Sequence, residues 1–489
     1  MMWLLAMAQV ASAPQFAAPK GDSTVFAQSL GTLAQQVAVA YHDDNRARYL
    51  DNLFRIQLVA GRYTEAIGSF QSLRDSRAGN PSPQTRAMDV QHGIDAQAAA
   101  KQHDGLPADL ALRQAFQEVL GPSDDRTQAL VIRAILLANQ ANLQRTASEA
   151  VTRSQRQDSI PITDAIALIR AYQVAQAYRH LAPLAEDLAA QDDARRYVIE
   201  KDVPVRTPDG ATVCALIVRP RAMTGRLPTL LDFTIYADPD ANMSEARRTA
   251  SNGYAGVVGL TRGKGCSPDT PVPYVYDGAD AAVLIDWITS QPWSDGRVGM
   301  YSGSYDGFTQ WAAAKHMPRG LKALMPGAPV APGLDVPMEG NIVWNFIYPW
   351  PFYTTDVKGL DNQTYFDNAR WRRLNREWYV RGGAYRDLEQ LDGTSNPIFD
   401  QWISHPDYDA YWQAMIPYEE DFARIRIPVL ATAGYYFGGP GAAVHYFLPA
   451  PQIRPGRRAL PRDRPLRPRA RAPGNGRGLG RLDHLHGRL

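Results

Sequence analysis

The sequence predicts an α/β architecture, a mostly parallel sheet with helices on both faces, entered after a separate all-α region. Three observations predict it. From Phe26 to Ala190 apolar residues recur at helical spacing. From about Arg195 onward short apolar runs alternate with helical stretches. Within that alternation an apolar strand runs into a turn of small residues and straight on into a helix.

The first region shows the 3.6-residue period at Leu58, Ala66, Ile67, Phe70 and Leu73. Its stretch Val59-Ala60-Gly61-Arg62-Tyr63-Thr64-Glu65-Ala66-Ile67 resembles half of a tetratricopeptide unit. No second copy follows at a fixed spacing, so the expectation is a helical domain over 22–192 rather than a repeat array.

The second region spans 195–448. Tyr197 to Val205 and Thr212 to Val218 read as strands joined by a Pro208-Asp209-Gly210 turn. Thr229 to Phe233, Ala255 to Val258, Val298 to Tyr301, Lys322 to Met325 and Val429 to Ala433 are further strand candidates. The stretch Ala279 to Ser290 places Ala281, Leu284, Ile285 and Ile288 on one helical face. Residues 330–412 break the alternation and are dense in aromatics, among them Trp344, Trp350, Tyr353, Trp371 and Trp402. They read as a helical insertion able to cap a site and line an apolar pocket.

Composition narrows the function classes. The chain has 489 residues, 45% hydrophobic and 21% charged, which excludes wholesale disorder and a multi-span membrane protein. Two cysteines, Cys214 and Cys266, exclude a disulfide scaffold and a four-cysteine zinc site, and the sequence leaves their pairing open. Net charge is +2, which gives no pointer to nucleic acid. Trp3 to Ala11 followed by Ala11-Ser12-Ala13 reads as a signal segment over 1–13, with a buried first helix as the alternative. Export is therefore expected, with no membrane span in the mature chain.

The chemistry-bearing segment is Val298-Gly299-Met300-Tyr301-Ser302-Gly303-Ser304-Tyr305-Asp306-Gly307, followed by a helix from Phe308 to His316. Strand, tight turn and helix are the context of a nucleophile elbow, which projects a serine from the carboxyl edge of a sheet. Ser302 and Asp306 stand where the G-x-S-x-G pattern has glycines. The run Gly259 to Ser267, containing Arg262-Gly263-Lys264-Gly265, lacks the spacing of a phosphate loop.

From about Lys201 to Phe447 the chain resembles the family of X-prolyl dipeptidyl peptidases, cocaine esterase-like enzymes and α-amino-acid ester hydrolases. The resemblance rests on Val205-Arg206-Thr207-Pro208-Asp209-Gly210, on Asn252-Gly253-Tyr254-Ala255 through Thr261-Arg262-Gly263, on Gln291-Pro292-Trp293-Ser294-Asp295-Gly296-Arg297-Val298-Gly299-Met300, and on Ser304-Tyr305-Asp306-Gly307-Phe308-Thr309-Gln310-Trp311. It implies an α/β-hydrolase fold with a helical cap insertion. It also implies Ser304 as nucleophile, the Tyr305 N–H as one oxyanion donor and, in Ile235-Tyr236-Ala237-Asp238, the Tyr236 hydroxyl as the other. The implied substrate is a small ester or peptide-like amide, with no metal or organic cofactor. Oligomeric state is left open. The alternative reading is a non-catalytic exported binding protein that uses the helical domain.

The resemblance fails at the acid and the base. In Ala433-Gly434-Tyr435-Tyr436-Phe437-Gly438-Gly439, Phe437 stands where the family has Asp, and no family histidine segment follows. His445 falls too early, on an expected helix, while His484 and His486, like Asp463 and Asp483, fall in a tail of different composition. Residues 449–489 hold eleven Arg, two Asp and seven Pro, so the tail carries +9 and the rest of the chain −7. Such a tail is expected to be disordered. Back-translated with GC-rich codons and shifted by one base, Arg464 to Arg471 reads Gly-Pro-Tyr-Asp-His-Ala-Arg, so the expectation is a shifted frame and a hydrolase domain incomplete as written. The rival reading is a basic tail for anionic surfaces.

Overall fold

Short, mainly apolar runs set the sheet, and the strands they form carry the site. A computed structural model describes residues 14–447 apart from 78, 80, 81, 341 and 435–439. The expected signal segment 1–13, the Tyr435 to Gly439 segment with Phe437, and the tail with Asp463, Asp483, His484 and His486 lie outside the described residues. The chain divides between Arg196 and Tyr197 into two units.

The first unit contains nine α-helices among the described residues, from Ser23–Ala40 to Ala185–Arg196. Side chains of Asp22, Asn45, Asp124 and Asn139 cap helix starts by accepting backbone N–H groups. The Val59 to Ile67 stretch covers the end of one helix, a turn with Gly61 at φ +74° and the start of the next. The unit departs from a purely helical expectation by one small strand pair, Gln15–Ala17 antiparallel to Ser159–Pro161.

The second unit is built on six strands: β1 (Tyr197–Arg206), β2 (Thr212–Pro220), β3 (Leu227–Thr234), β4 (Ala255–Leu260), β5 (Ser294–Gly303) and β6 (Leu321–Gly327). Their spatial order is β1-β2-β4-β3-β5-β6. The first three neighbours pair antiparallel, and β4, β3, β5 and β6 run parallel. The β1–β2 hairpin closes where Pro208-Asp209-Gly210 predicts it, with Gly210 at φ +88°. The expected strand Val429 to Ala433 runs parallel beside β6: Leu324 N–H donates to Pro428 O, Leu430 N–H to Leu324 O and Thr432 N–H to Pro326 O, with bridges at Leu324–Val429 and Gly327–Thr432.

Helices α1 (Pro239–Ala250), α2 (Asp277–Ser290) and α3 (Tyr305–His316) cross between the strands. Ala246 and Ala250 of α1 pack on Val218 and Val258 at one face of the sheet. Leu284, Ile285 and Ile288 of α2 and Phe308 and Ala312 of α3 pack with Leu231, Phe233, Val298, Met300 and Leu324 at the other. Helices on both faces of a largely parallel sheet, in this strand order, make an α/β-hydrolase fold. The aromatic insertion folds as short helices, including α4 (Trp350–Thr355) and α5 (Asn368–Arg381), around a core holding Tyr348, Phe352, Trp371, Phe399 and Trp402. No helix of the described residues is long and apolar enough to cross a membrane.

Cys214 on β2 and Cys266 in the loop after β4 form a disulfide across 52 residues of sequence. Closing a loop of that size removes conformational freedom from the unfolded chain. The Cys214→Ala/Cys266→Ala double variant is expected to lose about 2–4 kcal/mol of unfolding free energy in urea titrations. An unchanged midpoint would show that the crosslink constrains nothing that matters for stability.

Candidate active site

The parallel strands end at one edge of the sheet, and the loops leaving that edge carry the candidate residues. Ser304 lies between the last residue of β5 and the first of α3, exposed, with φ +59° and ψ −122°. A non-glycine residue in this conformation is strained by about 1–3 kcal/mol and persists only when its surroundings fix it. Here they do. The Ser304 N–H donates to Gly327 O at 2.9 Å, and the Ser304 carbonyl accepts the N–H groups of Gly307, Phe308 and Val330, each at 3.1 Å. The approach is too close for side chains: a Cβ on Gly303 would lie 2.7 Å from Gly327 O, and one on Gly307 2.8 Å from Pro329 Cα. The helix begins at Tyr305, three residues before the predicted Phe308, because the turn itself supplies its first residues.

The two departures from the glycine pattern are partners. Ser302 has φ +105°, a conformation that suits glycine. Its hydroxyl donates to Asp306 Oδ2 at 3.4 Å. Asp306 lies beneath the turn near Asp232 of β3, and burial raises both carboxyls well above the ordinary range, the nearby Asp306 raising Asp232 further. One oxygen of each, Asp232 Oδ1 and Asp306 Oδ1, is buried without a hydrogen-bond partner.

Tyr305 is anchored by its side chain. The fully buried phenol donates to Asp277 Oδ2 at 2.8 Å and accepts the Tyr274 N–H at 3.1 Å. Asp277 also accepts the Thr261 hydroxyl at 2.6 Å. Its carboxyl is pushed up to about 6, chiefly by burial, against the pull of these hydroxyl donors. The Tyr305 N–H stands in the first turn of α3, where backbone donors have no partner within the helix.

Tyr236 follows β3, the strand paired with β5. Its ring meets the Tyr305 ring edge-on at 6.0 Å, so Tyr236 and the Ser304–Tyr305 turn come together at this edge. The Trp350 indole N–H donates to the Tyr236 oxygen at 3.3 Å. Burial first, and the Asp306 carboxyl second, hold the phenol above its ordinary range, so it stays protonated and able to donate.

The loop after β4 ties the insertion to the sheet. Lys264 is fully buried, and its ammonium donates to Thr354 O and Val357 O, both at 2.7 Å, and to Gly359 O. Lys358 returns donors to Ser267 O and Asp269 O. Arg262 pairs with Asp209 and Asp280.

Residues 209–441 match the X-Pro dipeptidyl-peptidase (S15) family. This segment belongs to that family. The cocaine esterase of Rhodococcus sp. (strain MB1 Bresler) is 31% identical over 272 residues, 52% of this chain and 46% of that protein. The chain therefore spans about half the length of this curated relative. Among solved structures, a selenomethionine-labelled α-amino acid ester hydrolase is 22% identical, covering 48% of this chain and 42% of the other at a TM-score of 0.39. A CocE/NonD family hydrolase from Staphylococcus aureus is 23% identical, covering 47% and 40% at 0.34.

Within this S15-family segment the expected acid position, Phe437, falls outside the described residues. His445 lies on the helix Pro440–Phe447, with Nε2 buried and unpartnered and its ring against Tyr408 and Phe422. A histidine–aspartate pair does occur in the insertion, His405 Nδ1 to Asp409 Oδ2 at 2.6 Å, with the imidazole stacked on Tyr411. Neither histidine hydrogen-bonds Ser304 among the described residues. Sequence reasoning gave no role to Asp277, which reads as an ordinary helix-start acid, and read Trp350 only as one of the pocket-lining aromatics of the insertion.

The raised carboxyl of Asp277 fixes the sign of a pH effect. Between the unfolded value near 4 and about 6, the native state holds a proton that the unfolded chain has released, so stability falls as pH rises through this window. Asp277→Asn, which cannot titrate, is expected to reduce the loss in melting temperature between pH 5 and pH 7.5, an effect of about 1–1.5 kcal/mol in the parent. A variant with the same pH slope as the parent would remove Asp277 as its source.

Proposed function

We propose that this chain is a serine hydrolase in which Ser304 forms an acyl-enzyme with an ester or peptide-like amide. The observation that carries the proposal is the backbone of Ser304, held at positive φ with its side chain exposed at the carboxyl edge of the sheet. In this reading Ser304 Oγ attacks the acyl carbon while its proton passes to a base, and the negative charge develops on the carbonyl oxygen. The Tyr305 N–H and the Tyr236 hydroxyl receive that charge. The tetrahedral intermediate collapses to the acyl-enzyme with loss of the alcohol or amine, and water then releases the acid. The base and its orienting acid are not assigned.

Tyr236, Trp350, Tyr353 and Tyr365 form a contiguous aromatic group beside the turn, which favours an apolar or aromatic acyl group. The disulfide supports placing the protein in an oxidising, exported compartment.

Rapid mixing with p-nitrophenyl esters tests the reading. A burst of p-nitrophenol matching the enzyme concentration is expected, lost in Ser304→Ala and slowed about 10²- to 10³-fold in Tyr236→Phe. A burst that survives Ser304→Ala would overturn it. The same assay with an aminoacyl p-nitroanilide separates ester from amide preference.

A further inference from the structure

Resting on the reading just given, we propose that Trp350 is a positioning residue for Tyr236: its indole N–H takes an acceptor site of the phenol oxygen and turns the phenol hydrogen toward the developing oxyanion. The argument begins with donor chemistry. A phenol has one hydrogen to donate and can accept in return, whereas an indole N–H can only donate. The direction of the Trp350–Tyr236 bond, 3.3 Å from Nε1 to the phenol oxygen, is therefore fixed by residue type. A carbonyl or carboxylate in the same place would consume the phenol hydrogen. The indole leaves it free, and donation into the oxygen polarises the O–H toward the next acceptor. Among the described residues the indole is the hydrogen-bond partner of this phenol oxygen.

The indole is held so that it cannot turn away. Trp350 is 6% exposed. Its ring stands edge-on to Tyr236 at 86° and lies flat on Tyr274, with interplanar angle 8° and centroids 6.1 Å apart. Tyr305 and Trp402 close two further sides, each at 5.8 Å. The backbone beneath is fixed as well. Thr354 donates to Trp350 O at 3.1 Å, and the buried Lys264 ammonium grips the carbonyl of Thr354. The protonated state that burial imposes on Tyr236 is the state in which a directed hydrogen matters.

The test is a double-mutant cycle on the burst reaction, with limiting rate and half-saturating ester concentration measured separately. Trp350→Phe removes the N–H, and the benzothiophene isostere of tryptophan at position 350 removes it while keeping the bicyclic shape. Both are expected to lower the limiting rate about tenfold, the effect of losing roughly one directed hydrogen bond, with half-saturation unchanged. In a Tyr236→Phe background neither is expected to lower it further. An equal loss in both backgrounds, or a loss confined to half-saturation, would make Trp350 a wall of the site and overturn the proposal. If Tyr236→Phe alone leaves the burst rate intact, the oxyanion role of Tyr236 falls and this inference with it, while Ser304 stands. A parent chain with no burst overturns the hydrolase reading and both roles together.

Discussion

The backbone of Ser304 is the constraint on which the rest of the unit depends. Its positive φ is unfavourable for a residue with a Cβ, and the local bonds its carbonyl accepts from Gly307 and Phe308 are only part of what holds it. Stability comes from the parallel neighbour β6, whose last residue takes the Ser304 N–H, and from the segment after β6, whose Val330 N–H takes the Ser304 carbonyl. The glycines at 303 and 307 let strand, helix and the segment after β6 meet at distances that a Cβ would forbid. A strained serine thus exists here because three elements crowd around it, and the same crowding leaves its side chain facing outward.

A second set of contacts extends this rigidity from the turn to the insertion. Tyr305 leaves the turn as a buried anchor on Asp277, which also holds Thr261. The loop that begins with Thr261 is crosslinked at Cys266, ion-paired through Arg262 and, through Lys264, bonded to three carbonyls of the segment 354–359. That segment follows directly on Trp350 and Tyr353, the aromatics around Tyr236. Buried polar groups, each with its charge or hydrogen bond answered, therefore connect the Ser304 turn to the residues around Tyr236.

What was legible in the sequence follows the range of the forces involved. Ala255 to Val258 and, apart from Asp232, Thr229 to Phe233 are apolar because their strands are buried on both faces, so these strands could be read from the sequence pattern. The turn around Ser304 was legible because glycines and serines mark close backbone approach. Val429 to Ala433 looked equally like a strand, and it does hydrogen-bond to β6 in parallel, with the ladder interrupted where Pro326 has no N–H to give. The contacts that position the site were not legible. Trp350 meets Tyr236 across 114 residues, Lys264 meets Thr354 across 90, and Asp277 meets Tyr305 across 28, with no periodicity to announce any of them. Ser302 and Asp306 appeared in sequence as two separate departures from a glycine pattern. Only the folded turn shows one answering the other.

The most direct test of the claim that this turn makes Ser304 a nucleophile is chemical. The full chain would be treated with a fluorophosphonate, digested and mapped by tandem mass spectrometry, with heat-unfolded chain as the control. A single adduct on Ser304 in the folded chain, absent after unfolding, is the predicted result. An adduct elsewhere, or none on a chain whose folding circular dichroism has verified, would contradict the account.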